Sequence, residues 1–498
     1  MSFQPISRCA LLLLFGLVNG VANAQTNAQT GVQTLPAEIE SALARAKVPK
    51  DAVTMLVVDA QGRAPARLSH RAHVGMNPAS VMKLVTTYAA LDLLGPAFTW
   101  TTPVFVEGAV RDGTLFGNLY IKGQGDPKLV SERLWLLLRR VQGLGVKTIA
   151  GDIVLDKSAF ENVEVDPSLF DGEPLRPYNA APDALLLNFK AVVMTFVPDR
   201  TANTASIQIE PPLAGVQMPH SVALSDVPCA DYRAALKADF SDPAAIRFAG
   251  TYPASCGERV WATAYADPKS YAARAVEGMW REMGGKLAGS VRDGRVPPNL
   301  VKPAFEVSSP PLPEVIRDIN KYSNNVMAQQ LFLTLSLQSR AVGAAARNAG
   351  GAGATGAFGE AATLAASREV VQRWWKSTIG TDDAPTLDNG SGLSRSDRIS
   401  ANALGKLLQS AYISPVMPEL MSSLPITGVD GTLRGRRSAA RGSAHLKSGT
   451  LRDVVGVAGY VLAASGKRYV VVMLVNQPGA PAARAAIDAL LDWTMKDN

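Results

Sequence analysis

The chain has 498 residues, of which 47% are apolar and 19% charged, a composition that fits a folded globular protein and excludes disorder throughout. That length is too great for one ordinary core, so two or three domains are expected. The 50 basic and 43 acidic residues give a net charge of +7, but there is no Lys/Arg-rich run and no aromatic RNA-binding motif. This reads as a mildly cationic surface suited to polyanionic surroundings, and no nucleic-acid partner is expected.

At the N-terminus, Arg8 precedes an apolar run from Ala10 to Val18, and Ala22-Asn23-Ala24 has the small-x-small pattern of a cleavage site. Residues 1–24 therefore read as a signal peptide removed after Ala24, which makes the protein exported and periplasmic. The run is too short to cross a bilayer and no other segment approaches the length needed, so no transmembrane anchor is expected. Export removes Cys9 and leaves Cys229 and Cys256 in an oxidising compartment. One disulfide is the simplest expectation, two buried thiols the alternative.

Gln25 to Leu35 is a polar lead-in, expected to be flexible. Pro36 to Ala46 has helical spacing, Val53 to Val58 reads as a strand, and Asp59-Ala60-Gln61-Gly62 is a turn that implies a hairpin. Next comes Asn77-Pro78-Ala79-Ser80-Val81-Met82-Lys83. Asn77 is a good N-cap, Pro78 a good first helical residue and Gly95 a stop, so a helix is predicted over 78–94. Val81, Leu84, Val85, Tyr88 and Leu91 recur at helical spacing, so it packs against a core.

Ser80 and Lys83 fall on one face of that helix. A serine hydroxyl needs a base within hydrogen-bond reach, and a lysine serves only if burial or nearby cations lower its pKa. Free N–H groups in the first turn also favour developing negative charge. Taken alone, Ser-x-x-Lys is weak evidence, since it turns up by chance and often marks a helix start with a solvated lysine.

From Phe98 to Pro297 the texture changes to short strands and frequent turns, read as an inserted β-rich region of one or two subdomains. Helical texture returns after Pro310, with helices expected at Leu312 to Tyr322, Asn325 to Leu335, Ala361 to Thr378 and Ala401 to Tyr412. The Gly/Ala-rich stretch Ala341 to Gly359 reads as a flexible loop. Val454 to Leu462 and Tyr469 to Val475 form a hairpin, and Pro481 to Trp493 a closing amphipathic helix.

Two further motifs stand at element edges: Tyr322-Ser323-Asn324-Asn325 and His445-Leu446-Lys447-Ser448-Gly449-Thr450. Ser323 offers a hydroxyl able to relay a proton, and Asn325 an amide able to hold Lys83 and a substrate peptide bond. Lys447 adds a second cation that would depress the pKa of Lys83 and attract a substrate carboxylate. Ser448 can hydrogen-bond that carboxylate, Gly449 lets a substrate backbone lie close along the strand, and the N–H groups of Ser80 and Thr450 are the natural oxyanion donors. His70, His73, His220 and His445 have no metal-ligand spacing, and no Gly-x-Ser-x-Gly elbow is present; Asn389-Gly390-Ser391-Gly392 reads as a turn near the groove.

In chain order the three motifs match Ser-x-x-Lys, Ser-x-Asn and Lys-Thr/Ser-Gly of the penicilloyl serine transferases. Over nearly the whole mature chain the sequence resembles class C low-molecular-mass penicillin-binding proteins, the D-alanyl-D-alanine carboxypeptidase/endopeptidase family. Gly125-Asp126-Pro127, the 388–394 stretch, the 424–433 stretch and the gap between Lys83 and Ser323 carry the resemblance. It implies an α/β (α+β) transpeptidase-type domain with an antiparallel sheet, like those of penicillin-binding proteins and β-lactamases. Residues 25–98 and 301–498 would form that domain, with 99–300 inserted. It implies Ser80 as acyl-ester nucleophile, Lys83 as proton acceptor, Ser323 in the proton relay and Lys447 as a substrate contact. It also implies peptidoglycan stem peptides as substrate, β-lactams as inhibitors, and no cofactor or metal, and it leaves a homodimer open. Ser448 departs from the usual threonine, keeping the hydroxyl. The alternatives are a β-lactamase, against which the large insert speaks, and a non-catalytic peptidoglycan-binding protein.

Overall fold

The computed structural model describes residues 34–161, 166–349 and 361–497. The expected signal peptide and its cleavage site lie outside these residues, as does most of the polar lead-in. Leu35, at the end of that lead-in, is buried in a core instead of lying loose.

The organising layer is a five-stranded antiparallel sheet in the order Ala444–Leu451, Val454–Leu462, Arg468–Asn476, Val53–Asp59, Leu68–His70. Its three central strands are almost wholly apolar because both faces are covered. Leu56, Ala458, Tyr460, Val470, Val472 and Leu474 enter the core that contains helices Lys83–Leu94 and Ala401–Ile413. The alternate residues Met55, Val57, Val457, Val461, Val471 and Met473 face helices Ala37–Arg45 and Arg484–Lys496. The period of two is therefore intact, but it separates two apolar cores, not core from water. Strand Val53–Asp59 pairs along its whole length with Arg468–Asn476, so early and late parts of the chain share one sheet.

The helix predicted over 78–94 is two pieces, a 3-10 turn Ala79–Met82 and an α-helix Lys83–Leu94. Asn77 is not the N-cap, which is Pro78 one residue later, but its Oδ1 accepts the Ala79 N–H at 2.9 Å in a turn that leads into the element. Gly95 ends it at φ +77°. Every residue from Lys83 to Leu91 is buried, so this is a central helix and not an amphipathic surface one. Its threonines are accommodated by hydrogen bonds, Thr86 Oγ1 donating to the Gly390 carbonyl at 2.6 Å and Thr87 Oγ1 to the Lys83 carbonyl at 2.8 Å.

The intervening region contains a five-stranded mixed sheet, in the order Val291–Gly294, Ile153–Asp156, Leu119–Lys122, Thr101–Val106, Phe305–Ser308, and a smaller four-stranded one. A second five-stranded sheet is built on Ala191–Asp199 and Thr204–Glu210. Ile153, Val192, Phe196, Tyr271 and Trp280 belong to one core that joins them. The strand Phe305–Ser308 pairs with Thr101–Val106, so β-pairing in this region runs past position 300, the expected end of the insert. Cys229 and Cys256 form the expected disulfide. The two cysteines are 27 residues apart in sequence, and closing a loop of that size contributes about 3 to 4 kcal/mol in a chain-entropy account. Calorimetry with and without reductant should show a lower-melting transition for the reduced inserted region.

Helix Asn325–Ala349 runs well beyond its expected end at Leu335 and takes in the first part of the stretch read as a loop. The reason is composition: residues 341–349 are rich in alanine, the best helix former. Residues 350–360 lie outside the described set. No helix among the described residues is long and apolar enough to cross a membrane.

Candidate active site

Ser80 sits in the 3-10 turn ahead of the buried helix, directly after Ala79, which adopts a left-handed φ of +48°. Two glycines grip this turn. A Cβ on Gly392 would lie 2.0 Å from the Ala79 carbonyl oxygen, and one on Gly449 would lie 2.4 Å from the Pro78 carbonyl oxygen. The sequence reading reserved Gly449 for a substrate backbone; what approaches it is the protein's own Ser80 turn.

Lys83 is fully buried, and its Nζ lies 3.0 Å from Ser80 Oγ, 2.6 Å from Asn325 Oδ1 and 2.5 Å from the Ser391 carbonyl oxygen. As a neutral amine it keeps two N–H donors for Asn325 and Ser391 and turns its lone pair to the Ser80 hydroxyl, which is the arrangement a base requires. Burial pushes its pKa well below the ordinary lysine value, and the charge of Lys447 pushes the same way while Asp397 opposes.

Lys447, also fully buried, donates to Ser323 Oγ at 2.9 Å and to the Ser448 carbonyl at 2.8 Å. Burial lowers its pKa to about 7. Ser323 holds a left-handed φ of +58°, a strained conformation for a residue with a side chain. Its segment is tied down by Lys321, which pairs with Asp430 at 2.6 Å. Asn325, at the start of its helix, also donates Nδ2 to the Tyr178 carbonyl at 3.3 Å, so the intervening region between residues 99 and 300 reaches the site.

An open cavity of about 460 Å³ lies over these groups, with Ser80, Ser323, Thr432, Ser448, Thr450 and Arg484 in its wall. Ser448 Oγ and Thr432 Oγ1 are 2.6 Å apart. Of the eight residues singled out from the sequence, Ser80, Ser323, Ser448 and Thr450 line the cavity, while Lys83 and Asn325 sit behind it. Lys447 and Gly449, expected to touch substrate, do not line it: Lys447 is a buried residue of strand Ala444–Leu451 that reaches Ser323. A larger cavity of about 730 Å³, between Phe160 and Tyr265, lacks any serine–lysine pair.

Three participants were missed. The Ser391 carbonyl comes from a stretch read only as a turn, and Thr432 from one valued only for resemblance. Asp397 is wholly buried; one oxygen accepts the Asp388 N–H at 2.8 Å, the other has no partner, and burial raises its pKa to about 7. Nothing in its spacing separates it from an ordinary loop carboxylate.

A nucleophile-and-amine arrangement on a sheet flanked by helices defines the class: the protein is a serine peptidase. More particularly, the chain belongs to the D-Ala-D-Ala carboxypeptidase 3 (S13) family, whose profile matches residues 35–497. It is 28% identical over 433 residues to the D-alanyl-D-alanine carboxypeptidase of Actinomadura sp. strain R39, covering 83% of this chain and 76% of that protein. It is 26% identical over 409 residues to D-alanyl-D-alanine carboxypeptidase DacB of Haemophilus influenzae, covering 80% of each. The crystal structure of penicillin binding protein 4 (dacB) from Haemophilus influenzae superposes with a TM-score of 0.68 at 22% identity, over 92% of this chain and 99% of that one. That protein has also been solved with a bound β-lactam. The expected fold class is thereby confirmed.

Proposed function

We propose that this protein is an exported, periplasmic serine-type D-Ala-D-Ala carboxypeptidase, and a DD-endopeptidase by the same chemistry, acting on peptidoglycan stem peptides through an acyl-enzyme on Ser80. The observation that carries this is the buried Lys83 amine 3.0 Å from Ser80 Oγ. Residues 25–98 and 301–498 would make up the catalytic unit around an insert.

Ser80 Oγ attacks the carbonyl carbon between two terminal D-alanines as Lys83 Nζ takes its proton. The N–H groups of Ser80 and Thr450 receive the oxyanion of the tetrahedral intermediate. The C–N bond then breaks, and the leaving amine takes a proton relayed by the Ser323 hydroxyl, which Lys447 holds. Water hydrolyses the Ser80 ester by the reverse roles. Ser448, Thr450 and Thr432 offer hydroxyls to the substrate carboxylate, and Asn325 positions Lys83. β-Lactams acylate the same serine.

The pH profile of kcat/KM should be bell-shaped. Lys83 must be neutral, so the rate falls on the acid side as it gains a proton, below its lowered pKa. The Lys447 cation is lost as pH rises through about 7, which gives the alkaline limb. A profile flat from about pH 5 to 9 would contradict these roles. The function itself is tested by D-alanine release from a synthetic acyl-D-Ala-D-Ala peptide, expected with wild type and absent with Ser80→Ala. No release by wild type sinks the proposal.

A further inference from the structure

The cavity wall carries two arginines that the mechanism above does not use, Arg436, which is paired with Asp488, and Arg484. Arg484 opens helix Arg484–Lys496 and is exposed. Its natural intrahelical partner is Asp488, one turn on. That carboxylate is taken: Arg436 Nη1 donates to Asp488 Oδ1 at 2.5 Å and to the Arg484 carbonyl at 3.2 Å. Among the described residues no carboxylate pairs with Arg484, so a guanidinium with an uncompensated charge borders the same cavity as Ser80.

Its position along the cavity sets what it can bind. The scissile carbonyl belongs at Ser80, and the α-carboxylate of the leaving amino acid at the Ser448 and Thr450 hydroxyls. Val455, the strand partner of Thr450, also lines the cavity, and the helix that Arg484 opens packs on that same strand. A group reaching Arg484 therefore belongs to the leaving group and lies beyond its α-carboxylate. Free D-alanine has nothing there, but an acidic leaving peptide does, and a planar guanidinium suits a carboxylate.

We propose that Arg484 forms a subsite for a second carboxylate on the leaving-group side, so that the enzyme favours an acidic peptide as leaving group. This rests on the Ser80 peptidase reading. It biases the same active centre toward cross-linked substrates, whose leaving group is a peptide, over terminal D-alanine.

The test uses three synthetic peptides, Nα,Nε-diacetyl-L-lysyl-D-alanyl-X, with X as D-alanine, D-glutamate or D-glutamine; the last two differ only in the second charge. The D-glutamate to D-glutamine ratio of kcat/KM should be about fivefold for wild type at low salt, the scale of one exposed ion pair, and shrink with added salt. In Arg484→Gln the ratio should fall to about one, while Arg484→Lys keeps part of it because charge survives. Equal ratios in wild type and Arg484→Gln overturn this subsite while leaving the peptidase reading intact, provided the D-alanine peptide is cleaved. Failure to cleave any of the three overturns both.

Discussion

Replacing Lys83 by methionine should slow acylation of Ser80 by benzylpenicillin about 1,000-fold, within the range by which a positioned general base accelerates a reaction. Methionine keeps nearly the length of the side chain inside a fully buried slot but has no basic nitrogen. The three atoms that now meet Nζ are Ser80 Oγ, Asn325 Oδ1 and the Ser391 carbonyl oxygen. Losing the amine removes the base and leaves two buried acceptors short of a donor, which costs about 1 to 3 kcal/mol each at most. The offset is that a buried amine is itself costly, so the variant should remain folded. Stopped-flow acylation read beside a thermal melt separates these effects. A variant that folds and acylates within about tenfold of wild type would remove Lys83 from the base role.

Gly449→Ala should be nearly as damaging, although no atom of Gly449 takes part in the chemistry. The added Cβ would meet the Pro78 carbonyl oxygen at 2.4 Å and the Ser80 and Val81 nitrogens at 3.1 Å, all backbone atoms that cannot swing aside. Strand Ala444–Leu451 must then move away from the Ser80 turn. A shift near 1 Å between nucleophile and oxyanion donors costs about 100-fold in rate. Overpacking adds about 1 to 3 kcal/mol of instability. Gly466→Ala is the control: its φ of +83° makes alanine strained, but nothing lies within 4 Å of the new Cβ. That substitution should lower the melting temperature slightly and leave acylation alone. If Gly449→Ala acylates like wild type, the grip of the strand on the Ser80 turn is not what positions the nucleophile.

Much of this was legible because the informative residues are local. Ser80 and Lys83 share one helical turn, Ser323 and Asn325 one helix entry, and Lys447 to Thr450 one strand, and each motif states its own geometry. The hairpin of the two apolar runs that became strands Val454–Leu462 and Arg468–Asn476 was equally plain. What sequence could not supply is what crosses between elements. That Gly449 yields to the Ser80 turn, that Ser391 offers a carbonyl to Lys83, and that Tyr178 reaches Asn325 from the inserted region are tertiary facts with no local signature. Lys447 shows the same limit: its residue type suggested a substrate contact, but it is buried behind Ser323 and does not line the cavity. The helix over 341–349 was missed because glycine further on masked an alanine-rich run.

The most direct measurement is the intact mass of the protein after brief incubation with benzylpenicillin, wild type beside Ser80→Ala. The predicted result is one penicilloyl group on wild type that persists for minutes and none on Ser80→Ala. An adduct on Ser80→Ala would place the nucleophile elsewhere. A wild type that stays unmodified while penicillin is consumed would be a β-lactamase, and one that leaves penicillin intact would be a wall-binding protein without catalysis.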